Sequence, residues 1–317
     1  MNNTEVRSDW LVIVNPNAGS GKGGNDWERI AALLVRAGIH FSARFTGKRG
    51  DAIMISREGI EQGFRKIITV GGDGTLNEVL NGAYSQNSCT PSEVCLALIP
   101  VGTGNDWGKM FGIPLIYEGA IKIIKEGKTL MHDVGVVSYR NGEETNTRYF
   151  INIAGVGFEA LVVKKTNIQK EKGKSNRAIY LYNLLSSLIA YKHTEVTLYI
   201  EKQIIKNRIF SINVGNGRYC GGGMRQTPDA LPDDGLLDVT VIKEIGRIEI
   251  IKNLKILYDG TILSHPKVDG YRVKSFRVES VPQLMIEADG ELLGNTPAEF
   301  SVIPEGIRIV YGSRLIQ

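Results

Sequence analysis

Apolar and polar positions follow two different periods along the first 130 residues. Short apolar runs rich in β-branched residues predict strands at residues 10–16, 40–46, 66–70 and 94–102. Apolar residues spaced three and four apart predict amphipathic helices at residues 27–38, 50–64 and 75–82. Strands that alternate with helices form parallel sheets, so this part of the chain predicts a doubly wound, three-layer α/β domain.

The pattern changes near residue 131. A series of short apolar runs separated by turn residues then predicts many strands, with one helix at residues 175–191. Such a pattern is typical of a sandwich or a barrel. We therefore predict an α/β domain over residues 1–132, completed by the last few residues, and a β-rich sandwich domain over residues 133–317.

Three glycine-rich turns follow predicted strands of the first domain. They are NPNAGSGKGG at 15–24, GGDGT at 71–75 and PVGTGND at 100–106. A glycine turn that opens a helix offers bare backbone N–H groups and the positive end of the helix dipole, which suits a phosphate. Because ligands of such sheets bind at the carboxyl ends of the strands, all three turns can line one nucleotide site.

Asp73 lies in the middle of the second turn, where a carboxylate alone would repel a phosphate. A magnesium ion between the two resolves this conflict, and a helix cap formed by Asp73 or Thr75 is the structural alternative. The first turn is not a Walker A loop, because Pro16 stands at its first glycine position and Gly23 where Ser or Thr is required. A plain flexible turn that exposes Lys22 is the alternative there.

Composition excludes some classes of function. The chain of 317 residues has 38 basic and 34 acidic residues, a net charge of +4 that is too mild to indicate nucleic-acid binding. The three cysteines have neither metal-ligand spacing nor an even disulfide framework. The first ten residues have no apolar core, which argues against a signal peptide. We expect a cytoplasmic protein, with oligomerisation left open.

A basic segment precedes the most apolar stretch of the chain. Residues 164–177 contain six cationic residues and one acidic residue, and residues 180–191 are apolar but shorter than the roughly 20 residues that span a bilayer. This order suits peripheral docking at the inner face of a membrane. A solvated loop followed by a core helix is the alternative.

The ordered motifs NPNAGSGKG, GGDGTLNEVLNG and PVGTGNDWGK, followed by a β-rich half, resemble the bacterial lipid kinases that have the diacylglycerol kinase catalytic domain. Sphingosine kinases share the pattern, and NAD kinases share the GGDGT turn. The resemblance covers nearly the whole chain. It implies transfer of the γ-phosphoryl group of ATP to the hydroxyl of a lipid such as diacylglycerol or a sphingoid base. A soluble-substrate kinase similar to NAD kinase and an ATP sensor without activity remain alternatives.

The turns and the resemblance together imply a set of site residues. The expected ATP contacts are Asn15, Lys22, Thr46, Gly71, Gly72, Asp73, Gly74, Thr75, Leu76, Asn77, Thr103 and Asn105. The LPDDGLL segment resembles a structural Mg²⁺ site formed by the Leu231 carbonyl, the Asp234 side chain and the Leu236 carbonyl, although Asp-Gly is also a hairpin signal. The resemblance assigns Glu291 of ADGE as the catalytic base, beside Asp73 as the second catalytic carboxylate.

Overall fold

The computed structural model describes residues 6–102, 104–171 and 177–313. The chain divides into two units. The first unit runs to His132 and is completed by a C-terminal stretch that starts at Glu305, and the second comprises Asp133–Pro304. Within the described ranges, no helix combines the length and the apolar character needed to cross a bilayer.

The first unit contains a parallel sheet with the order β2-β1-β3-β4, extended beyond β4 by the C-terminal end of the last strand of the chain. Its strands are β1 (Trp10–Val14), β2 (Phe41–Phe45), β3 (Lys66–Gly71) and β4 (Cys95–Pro100). Its helices are α1 (Lys22–Asn25), α2 (Trp27–Arg36), α3 (Asp51–Glu61), α4 (Asp73–Ser85), α5 (Asp106–Met110) and α6 (Tyr117–Glu126), with a 3₁₀ turn at Pro91–Glu93. The central strands are buried on both faces, which explains their continuous apolar runs.

The second unit is built mainly from antiparallel strands. They are β5 (Thr129–Asn141), β6 (Glu144–Phe150), β7 (Ile153–Gly157), β8 (Thr194–Ile200), β9 (Gln203–Gly215), β10 (Tyr219–Cys220), β11 (Met224–Arg225), β12 (Leu237–Lys243), β13 (Val268–Val273), β14 (Ser275–Val281), β15 (Met285–Ala288) and β16 (Glu291–Val310). Its helices are α7 (Phe158–Glu171), α8 (Arg177–Ala190), α9 (Arg247–Lys252) and α10 (Leu254–Asp259), with a 3₁₀ turn at Ile262–Ser264.

The antiparallel pairings of this unit form a closed circuit. Pairing leads from β9 through β7, β15, β16, β14 and β8 back to β9. The inward side chains form one apolar core that includes Val156, Leu198, Ile212, Val278 and Phe300. A second apolar cluster, which includes residues of α7 and α8, lies outside this core and contains Phe158, Leu184 and Phe210.

The predicted fold class is confirmed, and several local predictions in the second half were wrong. The start of the basic segment, for which a solvated loop was the alternative to membrane docking, belongs to helix α7, and helices α9 and α10 were not predicted. The last strand, β16, is longer than the short strands that the apolar runs predicted. Helix α7 alternates apolar and basic residues without a clear amphipathic stripe, so its contacts with α8, β7 and β15 decide its structure. Residues 172–176 of the basic segment lie outside the described residues.

Candidate active site

Strand β3 passes into helix α4 through the GGDGT turn. Gly72 is the N-cap residue of α4, and Gly74 is the second residue of that helix. Gly71 has no room for a side chain, because a Cβ atom there would lie 2.7 Å from the Cβ atom of Thr75. The tight turn brings backbone N–H groups to the N-terminus of a 13-residue helix, which favours an anion.

The turn after β4 packs directly on the GGDGT turn. A Cβ atom on Gly102 would lie 2.7 Å from the Cα atom of Gly72, so glycine alone permits this approach of the two backbones. The backbone N–H of Val101 donates to the Gly71 carbonyl over 2.9 Å. Thr103, which is predicted to contact ATP, lies outside the described residues.

The first glycine-rich turn joins the same cluster. Asn15 Nδ2 donates to Thr75 Oγ1 over 3.0 Å. Gly19 lies so close to the third turn that a Cβ atom there would be 2.1 Å from the carbonyl oxygen of Val101. The fold of the first unit therefore brings together all three turns that were expected to share one site.

The carboxylate of Asp73 bridges the second and third turns. It accepts hydrogen bonds from the backbone N–H groups of Asp106 and Trp107, over 3.1 and 3.3 Å. Asp73 thus caps helix α5, and not the helix α4 that it begins. Mg²⁺ prefers hard oxygen ligands, and a carboxylate at this position is of that kind.

Asn105 adds a buried polar atom to the site. Its backbone is left-handed (φ 51°), and its Nδ2 atom donates to the Gly102 carbonyl over 2.6 Å. Within the described residues, its buried Oδ1 atom has no hydrogen-bond partner. A buried acceptor without a partner costs about 1–3 kcal/mol, so this atom fits a hydroxyl or amino donor of a bound nucleotide.

The other predicted ATP contacts differ in exposure. Lys22 is exposed, and its Nζ atom lies 5.3 Å from the centre of the Tyr117 ring. Thr46 directly follows β2 and is buried. The side chains of Leu76 and Asn77 are fully buried within α4. Neither residue therefore offers a ligand an accessible side chain.

Glu78 fixes the loop after β2 and was not predicted. Its carboxylate accepts the backbone N–H groups of Gly50 (2.9 Å) and Ala52 (3.2 Å), at the start of α3. Asp51 accepts two further backbone N–H groups of the same loop. These bonds hold the segment that follows Thr46 against α4. The signal in the sequence was an acidic residue on a helix whose other positions are largely apolar and buried.

The LPDDGLL turn in the second unit contains the predicted structural Mg²⁺ ligands. The Asp234 carboxylate accepts the backbone N–H of Leu236 over 3.0 Å and forms an ion pair with Arg272. The backbone N–H of Gly235, the residue before Leu236, donates to the buried carboxylate of Asp133 over 2.6 Å. The turn is therefore held in a defined shape by two aspartates from different parts of the chain.

Negative charge exceeds positive charge at this turn. Burial raises the pKa of Asp238 to about 6, Arg272 lowers it, and Asp234 raises it further. Asp238 Oδ2 is buried and has no hydrogen-bond partner among the described residues, but it lies 3.6 Å from Arg272 Nε in an ion pair. Asp234 and Asp238 supply hard oxygens of the kind that Mg²⁺ prefers, beside the Leu231 and Leu236 carbonyls of the same turn, while Arg272 pairs with both carboxylates. Because no cluster of three His, Cys, Asp or Glu side chains suited to a metal occurs in the described part of the chain, such a site needs backbone ligands.

Glu291 begins strand β16 directly after a tight hairpin turn. Ala288 pairs with Glu291, and Asp289 and Gly290 between them both have left-handed backbones (φ 49° and 81°), as a type I′ turn requires. The Asp289 carboxylate accepts three successive backbone N–H groups, of residues 151 to 153, over 2.8–3.0 Å. These charge-assisted bonds fix the hairpin and thereby the start of β16.

Two carboxyl groups near this hairpin, those of the buried Glu287 and the partly buried Glu159, were not predicted. Glu287 accepts the backbone N–H of Gly290 over 2.9 Å, and burial raises the pKa of Glu287 well above its usual range. Glu159, in the first turn of α7, accepts a bond from Gln226 Nε2 over 2.9 Å, and burial raises its pKa to about 7. The two side chains flank Gly155, where a Cβ atom would lie 2.8 Å from Glu159 Cβ and 2.9 Å from Glu287 Oε1.

An apolar pocket opens beside Glu159. Elements α7, α8, β9, β12, α9 and α10 line it, with apolar side chains that include Phe158, Leu188 and Ile242. The pocket is open to solvent, and the space within it and at its mouth together is about 640 Å³. Glu159 and Gln226 are polar groups in this otherwise largely apolar lining.

Family models match both parts of the chain. The diacylglycerol kinase catalytic domain matches residues 9–137, and the YegS C-terminal NAD kinase beta sandwich-like domain matches residues 152–311. The chain is 28% identical over 304 residues to a diacylglycerol kinase of Staphylococcus carnosus, covering 96% of this chain and 95% of that one. It is 29% identical over 309 residues to a diacylglycerol kinase of Staphylococcus epidermidis, covering 96% and 92% of the two chains.

Solved structures share the fold. A crystal structure of a diacylglycerol kinase from Bacillus anthracis superposes with a TM-score of 0.72 at 24% identity, covering 97% of this chain and 98% of that one. A second structure from the same organism reaches a TM-score of 0.76 at 28% identity, covering 96% and 97%. Yeast NADH kinase in complex with NADH has a TM-score of 0.54 at 10% identity, covering 99% and 85%, which is a likeness of fold alone.

Proposed function

This chain belongs to the family of lipid kinases with a diacylglycerol kinase catalytic domain and a NAD kinase-like β-sandwich domain, and we propose that it transfers the γ-phosphoryl group of ATP to the hydroxyl of a lipid such as diacylglycerol. As a kinase, it transfers a phosphoryl group to an alcohol acceptor.

One observation carries the choice of a lipid over a soluble acceptor. The unit that contains Glu291 has an apolar pocket, and the pocket reaches Glu159, which flanks Gly155 together with Glu287. Glu287 in turn bonds to the residue before Glu291. A hydrocarbon chain in this pocket would therefore extend its polar end toward the proposed base. A soluble dinucleotide would gain little from an apolar pocket at this position.

The three packed turns are the proposed ATP site. Backbone N–H groups of Gly71 to Thr75 would bind the phosphates at the N-terminus of α4, and Lys22 would add positive charge. Asn105 Oδ1 would accept a donor of the nucleoside, since this atom is otherwise unsatisfied among the described residues. The remaining proposed contacts are Asn15, Thr46, Leu76, Asn77 and Thr103.

Mg²⁺ fits two sets of residues. Asp73 would hold the ion that accompanies ATP, and Leu231, Asp234 and Leu236 would hold a second, structural ion. When bound beside ATP, Mg²⁺ neutralises phosphate charge and so lowers the barrier to attack by an oxygen nucleophile. Asp73 would also keep α5 attached to the phosphate turn, because its carboxylate accepts two N–H groups of that helix.

Glu291 is the proposed general base. A lipid hydroxyl is a weak nucleophile until its proton is accepted, and a positioned carboxylate can accept it as the oxygen attacks the γ-phosphorus. The three bonds to Asp289 hold the hairpin and thereby restrict the positions that Glu291 can adopt. The protein's contribution is mainly positioning and charge stabilisation, as in phosphoryl transfer generally.

We also propose peripheral contact with an anionic membrane. Ile189 on α8 and Ile248 on α9 are about 70% exposed, although both helices line the pocket. Lys164 and Arg247 on α7 and α9 are exposed cations. Apolar side chains with nearby positive charge suit the surface of an anionic bilayer, from which a lipid could enter the pocket.

The test is an assay of the purified protein with γ-labelled ATP, Mg²⁺ and mixed micelles of candidate lipids, beside a soluble panel that includes NAD. We expect label in an organic-extractable product and a loss of about 100-fold or more in Glu291→Gln. Glu279→Gln, at a carboxylate on β14 in the same unit, is the matched control and should retain activity. Label only in a water-soluble product would support the NAD kinase-like alternative, and ATP binding without transfer to any acceptor would indicate a sensor.

A further inference from the structure

The polar lining of the apolar pocket is divided between two places. Asn253 donates to a backbone carbonyl of α9, and His265 faces the Glu249 carboxylate of that helix at 3.6 Å. Glu159 and Gln226 instead lie against the sheet, beside the side chains of β9. Only the second place adjoins the hairpin of Glu291, so it is the one that a bound lipid's polar end would meet.

The hydrogen bonds around Glu159 orient its carboxyl group. Gln226 Nε2 donates to Glu159 Oε1, while Gln226 Oε1 accepts the thiol of Cys220 over 2.8 Å. Contacts of its nitrogen and its oxygen thus orient the Gln226 amide. Glu159 Oε1 is the carboxyl oxygen that accepts a hydrogen bond from this amide. Ser211 and Asn213 face the same carboxyl, although neither reaches normal hydrogen-bonding geometry. The second oxygen remains available to a molecule in the pocket.

This carboxyl group lacks a positive partner. Among the described residues, the polar and charged groups that act on it are the Gln226 amide, Ser211, Asn213, Tyr191 and the second acid Glu287. A buried carboxyl without a counter-ion favours its neutral form, because burying the charge is costly. A neutral carboxyl whose first oxygen accepts from Gln226 has an O–H group to donate with its second.

We propose that Glu159 is a specificity-determining residue that donates a hydrogen bond to an ester carbonyl of the acceptor lipid, so that the pocket selects acylglycerols over lipids without a carbonyl beside the chain. This inference rests on the proposed function, in which the lipid chain occupies the pocket. Ester carbonyls accept but do not donate, which matches a neutral acid and not a charged one. Glu159 lies between the apolar lining and the hairpin of Glu291. In an acylglycerol, the ester likewise lies between the hydrocarbon chain and the free hydroxyl.

The test compares two probes that differ only in the carbonyl. A pyrene-labelled diacylglycerol and its dialkyl ether analogue are titrated into the full-length protein without ATP, and binding is followed by pyrene fluorescence. We expect the wild-type protein to bind the ester about tenfold more tightly than the ether, the effect of one buried hydrogen bond of about 1.4 kcal/mol. Glu159→Leu should reduce the ratio to about one, chiefly by weakening ester binding.

Two further variants separate hydrogen bonding from fold and charge. Glu159→Gln retains a donor and should retain most of the ester preference, whereas loss of the preference in this variant would contradict a donor role. Glu279→Gln is the control outside the pocket and should match the wild type. Thermal unfolding of each variant establishes that it folds, and Glu159→Gln keeps the inference testable if Glu159→Leu does not fold.

The same variants in the labelled-ATP assay distinguish the two proposals. We expect the ester preference to appear in the acceptor KM, with the KM for ATP unchanged. Equal binding of ester and ether by the wild type, or tighter binding of a sphingoid base, would overturn the role of Glu159. An intact ester preference in binding without phosphoryl transfer to any lipid would overturn the proposed function and leave this inference standing.

Discussion

Asp73 combines a structural contact with a proposed chemical role. Its carboxylate accepts two backbone N–H groups of α5 and lies in the turn proposed to bind the phosphates. Asn at this position retains an oxygen that can accept one of these bonds but loses the negative charge. We expect Asp73→Asn to reduce kcat by about 100-fold or more, because the cation beside the phosphates would lose its anionic ligand.

The stability of the same variant separates these two roles. Hydrogen bonds to a charged acceptor are worth about 1 kcal/mol more than neutral ones, so unfolding should become easier by only about 1–2 kcal/mol. Chemical denaturation measures this change, and Asp9→Asn at a surface ion pair is the control. A variant with full activity would exclude the metal role of Asp73.

Glu159 should make stability depend on pH. Its pKa is raised by burial to about 7 in the folded protein, so the folded state binds a proton that the unfolded state releases near pH 4.5. The contribution of the protonated Glu159 to the free energy of unfolding is complete below about pH 4.5. It is lost as the pH rises through about 7. Over this window the wild type should lose about 3 kcal/mol relative to Glu159→Gln, which has no charge to bury.

Denaturation of both proteins at pH 5 and pH 8 tests this prediction. Glu287 and Tyr191 also face Glu159, and the raised pKa of Glu287 lowers stability with rising pH in the same direction. Because Glu287 is present in both proteins, its own effect on stability cancels when the two stability curves are subtracted. The difference then reports on Glu159 and on the electrostatic coupling between Glu159 and Glu287. Parallel stability curves for the two proteins would mean that Glu159 is not buried as described.

At the scale of elements, the proposed ATP site depends on the contact between two turns. A Cβ atom on Gly102 would lie 2.7 Å from Gly72 Cα. Because this neighbour is a backbone atom, it cannot rotate away from the new methyl group as a flexible side chain could. We expect Gly102→Ala to displace the third turn and to weaken ATP binding about tenfold or more, with little effect on lipid binding by the second unit.

Isothermal titration of ATP measures this effect. Gly246→Ala is a suitable control, because its nearest neighbour lies 4.0 Å from the new Cβ atom and its backbone needs no left-handed conformation. An unchanged ATP affinity in Gly102→Ala would show that the packing of these turns does not form the nucleotide site.

The elements also show where sequence patterns fail. The β-branched strands and the glycine turns of the first unit were predicted because each depends on neighbours within a few residues. Helix α7 was missed because its residues FEALVVKKTNIQKE have no marked amphipathic period, and packing against α8, β7 and β15 determines its helical structure. Strand β16 continues through Pro304 and Gly306, residue types that usually interrupt strands, because it pairs with several other strands along its length.

At the scale of the whole molecule, chain connectivity links two separate cores. Strand β16 begins in the second unit beside β15 and ends in the first, where Arg308 and Ile309 pair in parallel with β4. Strand β5 begins before and ends after the boundary at His132. The last strand therefore completes the sheet of the first unit, and no single cut in the chain separates the two cores.

The sequence by itself determined the fold class, the three glycine turns and the lipid kinase family, because periodicity, turn chemistry and ordered motifs are local properties of a chain. Only the tertiary structure decided that Asp73 caps α5 and that Glu159, Gln226 and Glu287 meet beside an apolar pocket. Glu159, Gln226 and Glu287 are separated from one another by more than 60 residues along the chain, Asp73 lies 33 residues before Asp106, and each occurs as one polar residue within an ordinary segment. The proximity of Glu159 to Glu287 and the raised pKa values of these two acids arise from strand pairing, which no local pattern contains.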